Sequence, residues 1–526
     1  MGDAGPSAGT GAAGGSVGGS GVGGGAGGAS GGAGSVGVDG GGVGVGAAGS
    51  AGAAGTAGSS GAGGGAGSGS VNPWHEDGYL KGTGGSANLY LGVSVAISGD
   101  TIVTGAANDS SSAVGVNGTG PETAANSGAA FVYVRNGAGW AQQAYVKASH
   151  PGGGDELGTS VAISGDTMVI GAPGEASAAT GIGGNELDDS MDQSGAAYVF
   201  VRSAGSWQQQ AYLKASNTHV HDRFGSSVSI SGDTIVVGAP FEISAGKGVD
   251  GDQTPNPNYV RTGAAYVFVR SGGTWKQQAY LKASNTNMDW NLFGASVSAS
   301  GDTIIVGAPE EGGEGSGVNG DQTVLSGFPN GAAYVFVRAG VKWSQEVYLK
   351  PLDDGHTRED YFGNSVAISG DIAVVGEYRD SATTTADHKT PSGGTTTDSG
   401  AVYVFTRSGK TWTYAAYLKA SNADDADEFG RSVAIDNGTI VVGAWRESSN
   451  ATGVDGNQLD NSSYQSGAAY VFTPTQGSWS QTAYLKAHNT NASDNFGTSV
   501  AIAGGTVVVG ADGQTTSASG AAYVFR

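Results

Sequence analysis

The sequence predicts an all-β fold: a seven-bladed β-propeller of four-stranded blades, closed by an N-terminal strand and preceded by a Gly/Ala/Ser-rich arm expected to be disordered. Three observations predict it. Trp recurs at positions 74, 140, 207, 275, 343, 412 and 479, at steps of 66 to 69 residues, and each of these is followed five residues later by Tyr and two further on by Lys. Only Trp290 and Trp445 stand outside that series. Within each period the same four short β-branched and aromatic runs recur between turn residues, the pattern of antiparallel strands. Finally, the last unit ends after its third run, at Arg526, and the missing fourth run stands before the first unit, at Trp74 to Thr83. A strand supplied from the other end closes a ring and removes an exposed edge.

Each element follows in order. Residues 1–71 are almost wholly Gly, Ala, Ser, Val and Thr, too little apolar surface to offset ordering entropy, so a flexible tether is expected there. The propeller is expected over 72–526, with the closing strand at 74–83 and repeats near 84–150, 151–217, 218–285, 286–352, 353–422, 423–489 and 490–526. In the third unit strand A is predicted at Gly225–Ser231, B at Thr234–Ala239, C at Gly263–Arg270 and D at Trp275–Ala283. The A–B link is Ser-Gly-Asp in five units, Asn437-Gly438 in the sixth and Gly504-Gly505 in the seventh. Gly-X suits a type II′ turn and Asn-Gly a type I′ turn, so A and B form a tight hairpin. The repeated Trp and Tyr of strand D are expected to pack between blades, and the Lys to carry its head out to water.

Composition excludes several function classes. The formal charge is −22, unlike the Lys/Arg-striped surface that phosphate contact needs, so no nucleic-acid partner is expected. Cys is absent, which excludes disulfides and thiolate metal sites in the chain as given. No 18-residue apolar run occurs, so no transmembrane helix is expected. Met1-Gly2-Asp3 lacks the basic start and apolar core of a secretory signal, so surface display would need either a start further upstream or an arm that is the remnant of a lipoprotein linker.

Two dipeptide signatures recur in phase with the Trp series. Phe-Gly precedes strand A at Phe224-Gly225, Phe293-Gly294, Phe362-Gly363, Phe429-Gly430 and Phe496-Gly497, with Leu91-Gly92 and Leu157-Gly158 in the first two units. Gly-Ala-Pro follows strand B at Gly171, Gly238 and Gly307, and units five to seven lose the Pro. The pattern resembles the FG-GAP repeat, which builds the integrin α-subunit propeller and many bacterial surface proteins. The resemblance covers about residues 72–526. It implies an extracellular or cell-surface binding and adhesion module, and a monomer. Integrin-type repeats bind calcium in an Asp-rich A–B loop. Here that loop is a two-residue turn, too short to supply six or more oxygens.

Any chemistry is expected on the face formed by the long B–C and D–A links. The B–C links share a Gly-Val-Asp/Asn-Gly-Asp/Asn-Gln motif whose Asp250, Asp252, Asn319, Asp321, Asp455 and Asn457 would offer oxygens to a hard cation such as calcium; the alternative is an Asx turn that shapes the loop. The D–A links gather Asp155, Glu156, His219, His221, Asp222, Glu359, Asp360, Asp425 and Asp427, residues that would collect a cation or a basic group, or stand as solvated loop charge. No nucleophile elbow, phosphate loop or zinc helix occurs. The function expected is therefore non-enzymatic binding of a protein or glycan ligand. The alternatives are a carbohydrate-active hydrolase or lyase using carboxylates such as Glu310, Glu311, Glu377 and Asp380, and a purely structural surface or matrix protein.

Overall fold

The computed structural model describes residues 73–526 apart from 86–88, 138, 259, 287–289, 324–328, 353–359, 385–390, 393–396, 476 and 514–518; the expected tether lies outside the described residues. The rest forms seven four-stranded antiparallel sheets, with one extra two-stranded hairpin, Thr383–Thr384 with Pro391–Ser392, in the B–C link of the fifth blade. In the third blade the strands are A Ser227–Ser231, B Thr234–Ala239, C Ala264–Ser271 and D Thr274–Leu281. Ser231 pairs with Thr234 across a two-residue turn whose Gly232 has φ +57°. At Asn437-Gly438 and Gly504-Gly505 both turn residues have positive φ. The seventh blade therefore uses a type I′ turn, where Gly-X alone suggested type II′; Gly at both positions admits either.

The A strands touch one another in ring order, and that of the first blade touches that of the seventh. The ring closes as the sequence predicts, though the closing strand is shorter than its expected range. Glu76–Leu80 pairs antiparallel with Ala521–Phe525 and completes the seventh sheet. Ahead of it His75 and Arg526 exchange both backbone hydrogen bonds at 3.0 Å.

The two dipeptide signatures turn out to be one joint between successive blades. The Gly of Phe-Gly has φ near +90°, as at Gly225 (+93°) and Gly294 (+92°), a region closed to most side chains. This kink lets the Phe backbone lie on the start of the preceding blade's strand C. Phe224 N donates to Ser194 O at 3.0 Å and Phe496 N to Ser466 O at 3.0 Å; around the seam Leu91 N donates to Ser519 O at 3.1 Å. The carbonyl of the same Gly then receives a hydroxyl from the preceding blade's strand A. Ser94, Ser160, Ser227, Ser296, Ser365, Ser432 and Ser499 donate to Gly158, Gly225, Gly294, Gly363, Gly430, Gly497 and Gly92 at 2.7–2.9 Å, one bond per interface. The Gly next to last in strand B leaves room for this carbonyl: a Cβ on Gly238 would collide with Gly294 O and Ser227 Oγ. We therefore expect Gly238→Ala to cost several kcal/mol, because backbone cannot yield as a side chain can. Gly453→Ala, at φ +71° with open space around it, should cost only about 1–2 kcal/mol of backbone strain. Thermal melts of the two variants check the contrast.

Between blades the core is continuous. Val236, Ala265 and Val267 of the third blade pack with Phe293, Val297, Ile304, Tyr334 and Trp343 of the fourth, all buried. On the short-turn face the repeated Trp is a latch, as the sequence suggested. Trp275 Nε1 donates to Gln210 Oε1 of the preceding blade at 2.8 Å, and Arg270 lies over the Trp275 ring at 5.0 Å while bonding the turn residue Asp233 at 2.7 Å. The Asp of Ser-Gly-Asp thus anchors the Arg that ends strand C. In the sixth blade Asn437-Gly438 replaces it, and Pro474 takes the place of the Arg.

Candidate functional site

The opposite face is built on a buried ion pair repeated in six blades. Lys214, two residues after the strand D Tyr, donates to Glu175 Oε2 at 2.7 Å and Ser194 Oγ at 2.8 Å, and Tyr212 OH donates to Glu175 Oε1 at 2.7 Å. Equivalent pairs are Lys147–Asp109 (3.0 Å), Lys282–Glu242 (2.7 Å), Lys350–Glu311 (3.0 Å), Lys419–Asp380 (3.2 Å) and Lys486–Glu447 (2.8 Å). The expectation that these Lys heads reach water is wrong: Lys214 and Lys282 are fully buried. In these six blades the acid lies four residues after the Gly next to last in strand B, a register the sequence contains and inspection of strands alone passes over. Burial would raise the Glu242 carboxyl, but the Lys282 charge and hydrogen bond, with bonds from Ser244, hold it below its ordinary range. Burial pulls Lys282 down despite Glu242.

An Asn carries the network into the next blade. Asn217 Nδ2 donates to Glu242 Oε1 at 2.7 Å and its Oδ1 accepts from Tyr266 OH at 2.6 Å; Asn285 and Asn422 do the same with Glu311 and Tyr334, and with Glu447 and Tyr470. Where the first blade has Phe131 in place of that Tyr, the Asn position holds Gly84. Hydroxyl and amide are lost together there, whereas the second blade keeps Tyr198 with His150 at the Asn position and its buried hydroxyl has no hydrogen-bond partner.

The residues expected to bind are dispersed through this face. Asp250, Asn319 and Asp455 turn an oxygen to the backbone N–H of the strand D Tyr, at 3.0, 3.1 and 2.9 Å, so the B–C link hangs on the outer edge of its own sheet. Asp252 and Asp321 accept from Thr254 and Thr323, and Asn457 from Leu459 N, each in an Asx turn. In the D–A links Asp155, Asp222 and Asp427 are buried and each caps the N–H three residues before it: Gly152, His219 and Asp424. Burial pushes Asp155 and Asp222 up to about 6 and Asp427 up to about 8. Glu156 pairs with Arg223 at 2.7 Å, His219 with Asp222 at 3.5 Å and His221 with Asp192 at 3.6 Å. Asp425 accepts from Thr397 N at 2.8 Å, Asp360 is buried, and Glu359 lies outside the described residues. Among the described residues no three His, Cys, Asp or Glu side chains are grouped to hold a metal ion.

One region breaks the repeat. After strand B the Pro position holds Ala107, Pro173, Pro240, Pro309, Tyr378, Trp445 and Asp512 in turn, and the next holds Asn108, Gly174, Phe241, Glu310, Arg379, Arg446 and Gly513. The residue after Phe-Gly is small or apolar in most blades and Arg431 in the sixth. In blades five and six these substitutions interlock. Arg379 lies 4.8 Å from the Tyr361 ring and 5.6 Å from Tyr378; Arg431 lies 4.9 Å from Tyr378 and 5.7 Å from Trp445; Arg446 lies 4.7 Å from Trp445. Glu428 locks one end, accepting from Trp445 Nε1 at 2.6 Å and pairing with Arg446 at 2.7 Å. Further round, Arg261 is held between Phe241 and Trp290, at 5.2 and 4.8 Å. Both Trp residues outside the sequence series thus belong to Arg–aromatic stacks on this one face.

The FG-GAP repeat family model matches residues 74–133, 140–200, 207–268, 275–336, 343–405, 412–472 and 479–525. The chain belongs to the FG-GAP repeat family. A search of curated proteins finds no match. Among solved structures a chain in the crystal structure of a mitotic checkpoint complex is similar, at 8% identity and a TM-score of 0.41, with 89% of this chain and 98% of that chain covered. In this FG-GAP propeller the A–B connection is two residues long, so the calcium loop of integrin-type repeats has no counterpart there. The Arg–aromatic ladder sits where the FG-GAP signature itself lapses: Tyr378 and Trp445 replace its Pro. Among the described residues no helix is long and apolar enough to cross a membrane.

Proposed function

We propose that this FG-GAP propeller is a non-enzymatic, extracellular or surface-displayed binding module that takes a protein or glycan ligand on its long-loop face, with the Gly/Ala/Ser-rich residues 1–71 as tether. The observation that carries this reading is the lapse of the repeat in blades five and six. Side chains present in every blade serve the ring, whereas Tyr378, Arg379, Arg431, Trp445 and Arg446 serve no contact that other blades need. They are half-buried or, for Tyr378, nearly buried, and rigid half-exposed aromatics and Arg are the residue types that dominate binding energy. The non-enzymatic reading is supported by Glu311 and Asp380, whose carboxylates are consumed by Lys350 and Tyr348 and by Lys419 and Tyr417. Calcium at the Asp250/Asp252, Asn319/Asp321 and Asp455/Asn457 loops is part of the same proposal, as a brace for the loop face.

The test is a binding screen of the full chain against glycans and extracellular proteins, with and without calcium, repeated with Trp445→Ala. The expected result is a ligand whose affinity falls at least tenfold in the variant while the melting temperature shifts by a few degrees at most. A ligand bound equally well by Trp445→Ala would place recognition elsewhere and overturn the assignment to this region.

A further inference from the structure

Resting on the reading above, we propose that the ladder of blades five and six recognises a carboxylate-bearing sugar residue, a uronate, through the edge of the Arg379 guanidinium. Four observations bear on the ligand's chemistry.

The first is the geometry of the stack. Tyr361 and Tyr378 stack on each other with ring centroids 5.3 Å apart, Arg379 lies against this pair at 4.8 and 5.6 Å, and Arg431 reaches from Tyr378 to Trp445 at 4.9 and 5.7 Å. A guanidinium resting against two stacked rings gives up part of its side-chain freedom before any ligand arrives, and its planar fork of N–H donors suits bidentate carboxylate recognition.

The second is the charge account within the stack. Arg446 is neutralised by Glu428 at 2.7 Å. Arg379 has no carboxylate at ion-pair distance among the described residues; beyond the Tyr361 and Tyr378 rings, its charge is met only at longer range, by Asp398 and Glu428. A chain with 46 acidic and 24 basic residues thus holds a pre-ordered cation on the face that carries most of its acidic loops.

The third is that surrounding acidity. Asp424 and Asp425 are exposed in the adjoining D–A link, and further round the same face Asp189 and Asp192 are exposed in the B–C link of the second blade. Such a face repels an acidic protein surface or a densely charged polyanion. It admits a compact ring with a single carboxylate.

The fourth is the placement of aromatic surface. Tyr361 and Trp445, both half-buried, flank the guanidiniums. A uronate carries its carboxylate directly on a pyranose ring, so its C–H face reaches an aromatic neighbour while its carboxylate meets the Arg. An Asp or Glu side chain on a peptide brings the charge without the flat apolar face.

The experiment is calorimetric titration of the full chain with galacturonic acid, its methyl ester, and a short peptide with blocked termini and a single Asp side chain. Wild type should bind the free acid saturably, at least tenfold more tightly than the ester, with affinity falling as salt rises. Arg379→Gln should lose at least tenfold and become indifferent to esterification. Arg379→Lys, which keeps the charge without the planar fork, should recover only part. Unchanged thermal melts establish that both variants fold. Failure to bind the acid, or equal binding of acid and ester, overturns the uronate assignment. Binding of the peptide alone, with the same dependence on Arg379, also overturns it but leaves the binding-face reading standing. A ligand from the wider screen that ignores both Arg379 and Trp445 removes the binding-face reading as well.

Discussion

Removing residues 72–83 should abolish the stability of the whole ring rather than of one blade. The deleted segment holds the strand Glu76–Leu80, which pairs with Ala521–Phe525, and the His75–Arg526 backbone exchange beside it. It also removes Leu80, buried in the cluster shared by the first and seventh blades with Ile97, Phe131, Val508 and Val524, and Lys81, which donates to Gly520 O at 2.7 Å. At about 1 kcal/mol per backbone hydrogen bond, and ~1.5–3 kcal/mol for a buried Leu, the loss reaches several kcal/mol before cooperativity is counted. That is comparable with the entire stability of a typical domain. The deletion also bares the edge of Ala521–Phe525, five apolar residues in a row, a template for pairing with other chains. A large drop in melting temperature with aggregation is expected, and a synthetic peptide of residues 72–83 should restore part of it. A deletion variant that melts as the wild type does would refute closure by this strand.

Breaking one buried ion pair should be nearly as severe. Lys282 donates to Glu242 Oε2 at 2.7 Å, Thr262 Oγ1 at 2.6 Å and Ser244 O at 3.1 Å, and both members of the pair are fully buried. Lys282→Met leaves Glu242 as an uncompensated carboxylate, at an expected cost of about 3–5 kcal/mol. The double variant Lys282→Met/Glu242→Leu should recover much of that, because two apolar side chains replace two desolvated charges. pH separates the two effects. In the wild type the Glu242 pKa is lowered, so its contribution is present above the unfolded pKa and is lost as pH falls through the folded one. In Lys282→Met burial dominates and the folded pKa rises, so the carboxyl favours folding below its unfolded pKa and opposes it as pH rises through the folded one. The deficit against wild type should therefore be larger at pH 8 than at pH 5. Melts of wild type, both single variants and the double variant across that range measure it; a deficit independent of pH would show that packing, not charge, sets the cost.

The blade pattern was legible in the sequence because it is local. Alternating strands, two-residue turns and the Trp–Tyr–Lys spacing each depend on neighbours a few residues away, and seven repetitions average out accident. Even the closure was legible, since a missing fourth strand at one end and a spare one at the other have a single economical solution. The joint was half legible. Phe-Gly and Gly-Ala-Pro mark it, but not why Gly238 must be Gly: the atom that forbids a Cβ there is the carbonyl of Gly294, 56 residues later and one blade on.

What only the tertiary structure decided lies between elements. Lys282 reads as a solvated strand end until strand D and the B–C link are brought together and Glu242 closes over it. The two Trp residues outside the series read as exceptions until Arg431 and Arg446 are found against Trp445, and Arg261 against Trp290. Arg379 gains its meaning from Tyr361, contributed by a different link. In each case the partners come from separate turns of a repeat, and chain order records the period of those turns but not which side chains they bring face to face. The sequence by itself determined the ring, because a ring is the sum of local regularities; the site was decided by contacts between blades, because binding surfaces are made where that regularity is broken.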